Sequence, residues 1–196
     1  MSQKIAPKFT AVMYRPVLIR AAIALIFGLV TFVIEEPTDA VVNYGTTLFF
    51  LFSGSAMWEY LRRDPVPEGM RTPLSLIAAV WMLAALTLVG VQLGGLSQTV
   101  TWVVVAAGLG ISGLAELWAF SWRKTFAPAR DHLISGITGV IMAILLIFLD
   151  VDYHRIFGIA GTYALITGVL FAISGLGYWL DTRKAIKEEG FKPPAP

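Results

Sequence analysis

Glu116 is the one charged residue between Thr72 and Trp122, and it stands in the stretch GLGISGLAELWAF with Ser112 four and Gly108 eight residues ahead of it. Helical neighbours recur at i+4, so Gly108, Ser112 and Glu116 share one stripe, and small residues are what apolar helices place against one another. The carboxylate therefore faces protein. Arg20, Ala24 and Gly28 form a similar stripe with a base at its head. The two charges suit an ion pair between the first and fourth helices. A second group of chemically able residues is Glu35, Glu36 and Asp39, with Asp150, Asp152 and His154 in the stretch DVDYH. Oxygen and imidazole ligands can hold a divalent ion. An ordinary wet turn needs the same residues, and a pH response is the simpler chemistry. Carboxylates ordinarily titrate near pH 4 and histidine near 6.5, so such a surface turns from acidic to basic on acidification.

Nucleophilic chemistry finds little footing. Ser53, Ser112 and Ser174 each precede a glycine in an apolar run, and no motif ties His132 or His154 to them. Zero cysteines remove a thiol nucleophile, thiolate metal sites and disulfides. No catalytic, cofactor-binding or metal site is assigned, and the chain is expected not to be an enzyme.

The elements that must position these residues follow from composition. Of the 196 residues 57% are hydrophobic and 14% charged, with a mean hydropathy of +0.73. Soluble domains are about one-quarter charged. Runs without Asp, Glu, Lys or Arg cover 21–34, 40–58, 72–115, 132–149 and 156–180, and a helix needs about 20 apolar residues to span a bilayer. The run 72–115 holds two such helices, divided by the Gly-Gly turn in GVQLGGLSQT. Lipid offers no partner to unpaired backbone groups, so the spans are helical. The expected fold is all-α and integral to the membrane, with six transmembrane helices at about 16–34, 40–61, 72–93, 98–121, 132–149 and 156–180. They form three helical hairpins, at 16–61, 72–121 and 132–180. Residues 1–15 form a cytoplasmic N-terminal segment, kept as a signal anchor because EEPTDA offers no cleavage site near the apolar end. Residues 181–196, ending KEEGFKPPAP, read as a disordered cytoplasmic tail.

Fourteen of the fifteen Lys and Arg residues fall on one side of this arrangement, and only Arg155 on the other. The positive-inside rule places both termini and the loops 62–71 and 122–131 in the cytoplasm. That topology accounts for the net charge of +2 without a nucleic-acid partner. Glu116 and Arg20 then lie one to two turns inside the cytoplasmic boundary. Pairing would offset part of the roughly 2.5–3.5 kcal/mol that a charge costs at the bilayer centre. The alternative has Glu116 reaching Arg123, Lys124 or cytoplasmic water while Arg20 snorkels to lipid phosphate. Glu59 is expected to pair at the helix end with Arg62 or Arg63. Trp58, Trp118, Trp122 and Trp179 gather with Tyr60 and Tyr178 at one level, as aromatic rings do at headgroup depth.

A Ser-Gly pair recurs in the second helix of each hairpin, at Ser53-Gly54, Ser112-Gly113 and Ser174-Gly175, spaced by 59 and 62 residues. Thr167-Gly168 is a competing register for the third. Gly28, Gly54, Gly108, Ser112, Gly113, Gly139, Gly161, Gly168 and Gly175 are expected to be the close-packing positions. In RPVLIRAAIALIFGLVTFVIEEPTDAVVNYGTTLFFLFSG, Arg20 opens the helix, Gly28 follows eight residues later, Pro37 marks the turn and Ser53-Gly54 closes the second helix. This pattern resembles the HdeD-like short-repeat proteins of the bacterial inner membrane. Arg130 and Gly139 repeat its outline, while the second unit lacks both the arginine and the proline.

The resemblance implies a helical membrane fold, an inner-membrane address and an association with acid stress, and it supplies no catalytic residue. The expected function is thus a non-catalytic, stress-related membrane protein. The alternatives are an accessory subunit of a larger complex and a small-solute or proton transporter. The lipid bilayer is its expected partner, with a homo-oligomer or a larger membrane complex open. Against transport, a relay across the bilayer needs polar stations that the uncharged helices lack, unless water fills the bundle.

Overall fold

Long uncharged runs can satisfy their backbones in lipid only through internal hydrogen bonds, and the chain is helical almost throughout. The computed structural model describes residues 7–63, 66–124, 126–149 and 152–189. Six α-helices follow in order: α1 (Pro7–Val33), α2 (Asp39–Leu61), α3 (Glu68–Gly94), α4 (Gln98–Phe120), α5 (Asp131–Phe148) and α6 (Tyr153–Glu189). Short 3-10 turns at Ser121–Lys124 and Ala127–Arg130 carry the chain from α4 to α5. No strand occurs among the described residues. Five of the helices, all but α2, are long and apolar enough to cross a membrane. α2 carries the polar run NYGTT at 43–47 in its first half.

Local chemistry sets several boundaries. The Thr38 side chain caps α2 by accepting from the Val41 amide, and Asp39 adds a carboxylate to the first turn. Gly95 ends α3 at φ 60°, ψ 34°, a left-handed conformation that glycine adopts without a Cβ penalty, and the Leu96 amide closes back on the Val91 carbonyl. The Gly-Gly turn therefore falls where the sequence suggests.

Two ends depart from expectation. α1 begins at Pro7, with Pro16 inside it, and α6 runs to Glu189, through residues read above as disordered tail. The extensions hold each other. Thr182 donates its hydroxyl to that of Thr10 at 3.0 Å, and Ala185 is buried. Phe9 meets Phe126 and Tyr178 edge-on at 5.3 and 5.7 Å. This burial outweighs the one backbone hydrogen bond that a proline forfeits within a helix. α3 likewise starts at Glu68 and takes Pro73 into its interior. The tail beyond 190 lies outside the described residues.

The helices form a closed ring in chain order, with α1 packing back onto α6. The most extensive interfaces are α1 with α6, α2 with α3, and α4 with α5. Helices joined by the short turns that define the hairpins in sequence pack less extensively. Glycine placement explains the order. A Cβ on Gly54 would meet Ala78 and Met82 of α3, one on Gly113 would meet Gly136, Gly139 and Val140 of α5, and one on Gly175 would meet Leu18 of α1. Each Ser-Gly glycine thus sits against the first helix of the next hairpin. The even helices α2, α4 and α6 also meet one another, so they lie nearer the centre.

Between them is an aromatic core in which Phe27 stacks on Phe49 at 4.5 Å and Phe50 on Trp81 at 6.4 Å. The outward faces carry exposed Ile26, Leu83, Leu86, Phe148 and Ile173. So much apolar surface suits lipid and not water.

Candidate buried charge centre

Near the end of the bundle that carries the basic loops, four polar side chains from three helices converge. Arg20 of α1 donates from Nη2 to Glu116 Oε1 of α4 at 3.3 Å. Ser135 of α5 donates its hydroxyl to Glu116 Oε2. His132, one turn before Ser135, brings Nδ1 to 3.8 Å from Glu116 Oε1, within ion-pair range but beyond a hydrogen bond. Arg20 is 4% exposed, His132 2%, and Glu116 and Ser135 fully buried.

The other three helices supply aromatic walls. The Arg20 guanidinium lies over Phe171 of α6 at 4.1 Å and within 5.8 Å of Trp81 of α3. The His132 ring meets Tyr60 of α2 edge-on at 6.3 Å. All six helices therefore contribute to one centre. Aromatic faces replace part of the water that the guanidinium gives up, because their quadrupoles attract a cation.

The two small-residue stripes bring these charges inward. Ala24 and Gly28 are buried on α1, and Gly108 and Ser112 on α4. A Cβ on Gly28 would approach Leu165 and the Gly161 carbonyl, and one on Gly108 would approach Phe50. Both helices thus seat closely enough for Arg20 and Glu116 to meet in the interior. Gly139, Gly161 and Gly168 are buried as well, against Leu109, Thr31 and Leu25 respectively. Ser112 donates its hydroxyl to the Leu109 carbonyl at 3.1 Å. Arg123 turns instead onto the Phe120 ring, at 4.3 Å, and Glu59 pairs with Arg63 one turn on.

The centre includes two residues that sequence reasoning did not join to it. His132 stands beside Asp131 at the start of α5, where polarity reads as a helix end, and Ser135 reads as a small packing residue. Their i, i+3 spacing on the face that also carries Gly136 and Gly139 is the signal that connects them.

A further polar group lies toward the opposite end. Asn43 of α2 donates to Gln92 of α3 at 2.8 Å and accepts from the Thr101 hydroxyl of α4 at 2.8 Å. Asn43 is 2% exposed and Thr101 fully buried. These are buried polar stations between helices in which the sequence reading expected none.

The acidic turns are arranged differently. Glu35, Glu36 and Asp39 are exposed. Asp152 accepts from the Arg155 amide at 2.7 Å and pairs with its guanidinium at 3.0 Å. His154 Nδ1 lies 2.8 Å from the Glu35 backbone carbonyl and ties the start of α6 to the end of α1. Asp150 lies outside the described residues. Among the described residues no three His, Asp or Glu side chains are grouped to hold a metal ion. Beside His154, an open cleft of about 290 Å³ is lined by Thr31, Phe32, Glu35 and Phe157.

Compared with family models, curated proteins and solved structures, the chain finds no match.

Proposed function

We propose that the chain is a non-catalytic protein of a bacterial inner membrane, with six spans and both termini cytoplasmic, that serves in the response to acid. The observation that carries this reading is Glu116, fully buried and reached by Arg20, His132 and Ser135 from two other helices. Buried ion pairs are weak contributors to stability, since desolvation offsets most of the attraction. Charges within apolar spans are accordingly retained for a task. The Arg20 and Glu116 charges cancel, so proton uptake by Glu116 leaves the uncompensated Arg20 charge in an apolar interior. Helix packing around the centre then responds to pH. The exposed acids at the turns add a surface that changes charge in the same direction. The resemblance to HdeD-like proteins points to the same stress.

The test is survival of acid challenge in cells deleted for the gene. Wild-type protein should restore survival, and Glu116→Gln, checked for equal abundance in the membrane, should not. Equal rescue by both would overturn the reading.

A further inference from the structure

Among the described residues six buried side-chain polar atoms have no hydrogen-bond partner within the protein: the hydroxyls of Thr46 and Thr47, the indole nitrogen of Trp81, the phenol of Tyr163, His132 Nδ1 and Arg63 Nε. Native proteins leave few such groups orphaned, and ordered water is their usual partner. Apart from Arg63, just past the end of α2, their positions are not scattered. Thr46 and Thr47 follow Asn43 by three and four residues on α2, so they continue inward from the Asn43, Gln92 and Thr101 group by roughly 6 Å. The Tyr163 ring comes next. It lies 6.4 Å from that of Phe49 on α2, and against Gly139, one turn of α5 beyond Ser135. Trp81 stands beside Arg20 itself.

We propose that these groups line a hydrated track along the bundle axis, and that the protein conducts protons through it between the acidic-turn end and the basic end. The inference rests on the transmembrane reading given above and adds an activity to it. A proton entering at Asn43 and Thr101 passes along hydroxyls and water to the Glu116 carboxylate, which becomes the neutral acid. Glu116 passes it to His132 Nδ1, across 3.8 Å that one water or a small ring rotation closes. The imidazolium releases a proton from Nε2 toward the basic end, so one proton enters and one leaves, and a flip of the ring between turnovers presents the bare nitrogen to Glu116 again. The groups facing the relay are Arg20 of α1, which stays cationic, Tyr60 of α2, Asp131 of α5 with its partner Tyr178, and Tyr163 of α6, which lies against Gly139. α3 presents Trp81 beside Arg20 and Gln92 at the Asn43 end. The non-charged stations explain how α2, the one helix of the six not apolar enough to cross a membrane on composition alone, comes to touch α4 and α6 in the interior.

The experiment uses the full chain in phosphatidylethanolamine and phosphatidylglycerol vesicles with an imposed pH gradient, an internal pH dye and potassium-valinomycin to relieve charge. Wild-type vesicles should lose the gradient faster than protein-free ones. Glu116→Gln and His132→Gln should abolish the difference, Tyr163→Phe and Thr46→Val should slow it by roughly tenfold, a barrier change of about 1.4 kcal/mol, and Glu59→Gln should leave it unchanged. If Glu116→Gln fails to elute as a folded species, Tyr163→Phe, which removes one orphan oxygen and no packing, decides. A wild-type rate equal to that of empty vesicles, or a Tyr163→Phe rate equal to wild type, overturns conduction. Acid survival that still requires Glu116 in that event would leave the acid-response reading standing.

Discussion

Gly113 of α4 and Gly136 of α5 back onto each other so closely that a Cβ on the first would lie 2.8 Å from the carbonyl oxygen of the second, and a Cβ on the second 2.9 Å from that of the first. The obstacles are backbone atoms, which cannot rotate aside. Gly113→Ala should therefore force the two helices apart and cost about 1–3 kcal/mol, as overpacking does. Gly90 of α3, with nothing within 4 Å of its virtual Cβ, provides the opposite case. Gly90→Ala should stabilise by about 0.5–1 kcal/mol through backbone entropy. Thermal melts in one detergent should show shifts of opposite sign, and a shared sign would contradict the α4 to α5 interface.

The Arg20 and Glu116 pair makes a sharper prediction. Arg20→Met removes one charge and leaves a fully buried carboxylate with only Ser135 and His132 beside it. Breaking a buried pair from one side costs about 3–5 kcal/mol. Arg20→Met with Glu116→Gln should recover most of that loss, because neither charge is then stranded. A double-mutant cycle read by thermal unfolding measures the coupling, and additive losses would show that the two side chains act apart.

That pair is also the part of the site most legible in the sequence. A single acid in a long uncharged run is a one-dimensional signal, and the i+4 stripes of small residues tell which way it points. The partner of each stripe is not encoded so locally. Gly113 announces a close approach without naming α5, and the hairpin turns suggest α3. The Asn43 group is hidden for another reason. Asn, Thr and Gln carry no charge to interrupt a run, and their meaning emerges only when three helices bring them within 2.8 Å. The helical ends at Pro7 and Glu189 are hidden because each is held by the other, across almost the whole chain.

Asn43 holds two helices at once, and its replacement should show it. Asn43→Leu leaves Gln92 and Thr101 without their partner, and an unsatisfied buried group costs about 1–3 kcal/mol. Thr101→Val in the same background should restore part of the stability, since it removes one of the stranded groups. No recovery would mean that the Thr101 hydroxyl gains its stability elsewhere.

The span count itself rests on α2, the one helix of the six that is not apolar enough along its length to cross a membrane on composition alone. A helix flanked by α1 and α3 and touching α4 and α6 presents much of its surface to protein. Its polar residues Asn43, Thr46 and Thr47 are buried there, while Leu48, Leu51 and Phe52 face outward. Lipid thus meets an apolar stripe although the helix as a whole is mixed, and α2 should span. The chain has no cysteine, so single cysteines report position without background. Cysteine at Glu36 should react with a membrane-impermeant maleimide on intact spheroplasts. Cysteine at Arg62, at the far end of α2, or at Lys124 should react only after the membrane is opened. Labelling of the Glu36 and Arg62 positions from the same side would remove α2 from the membrane and with it the closed ring that gathers Arg20, Glu116 and His132.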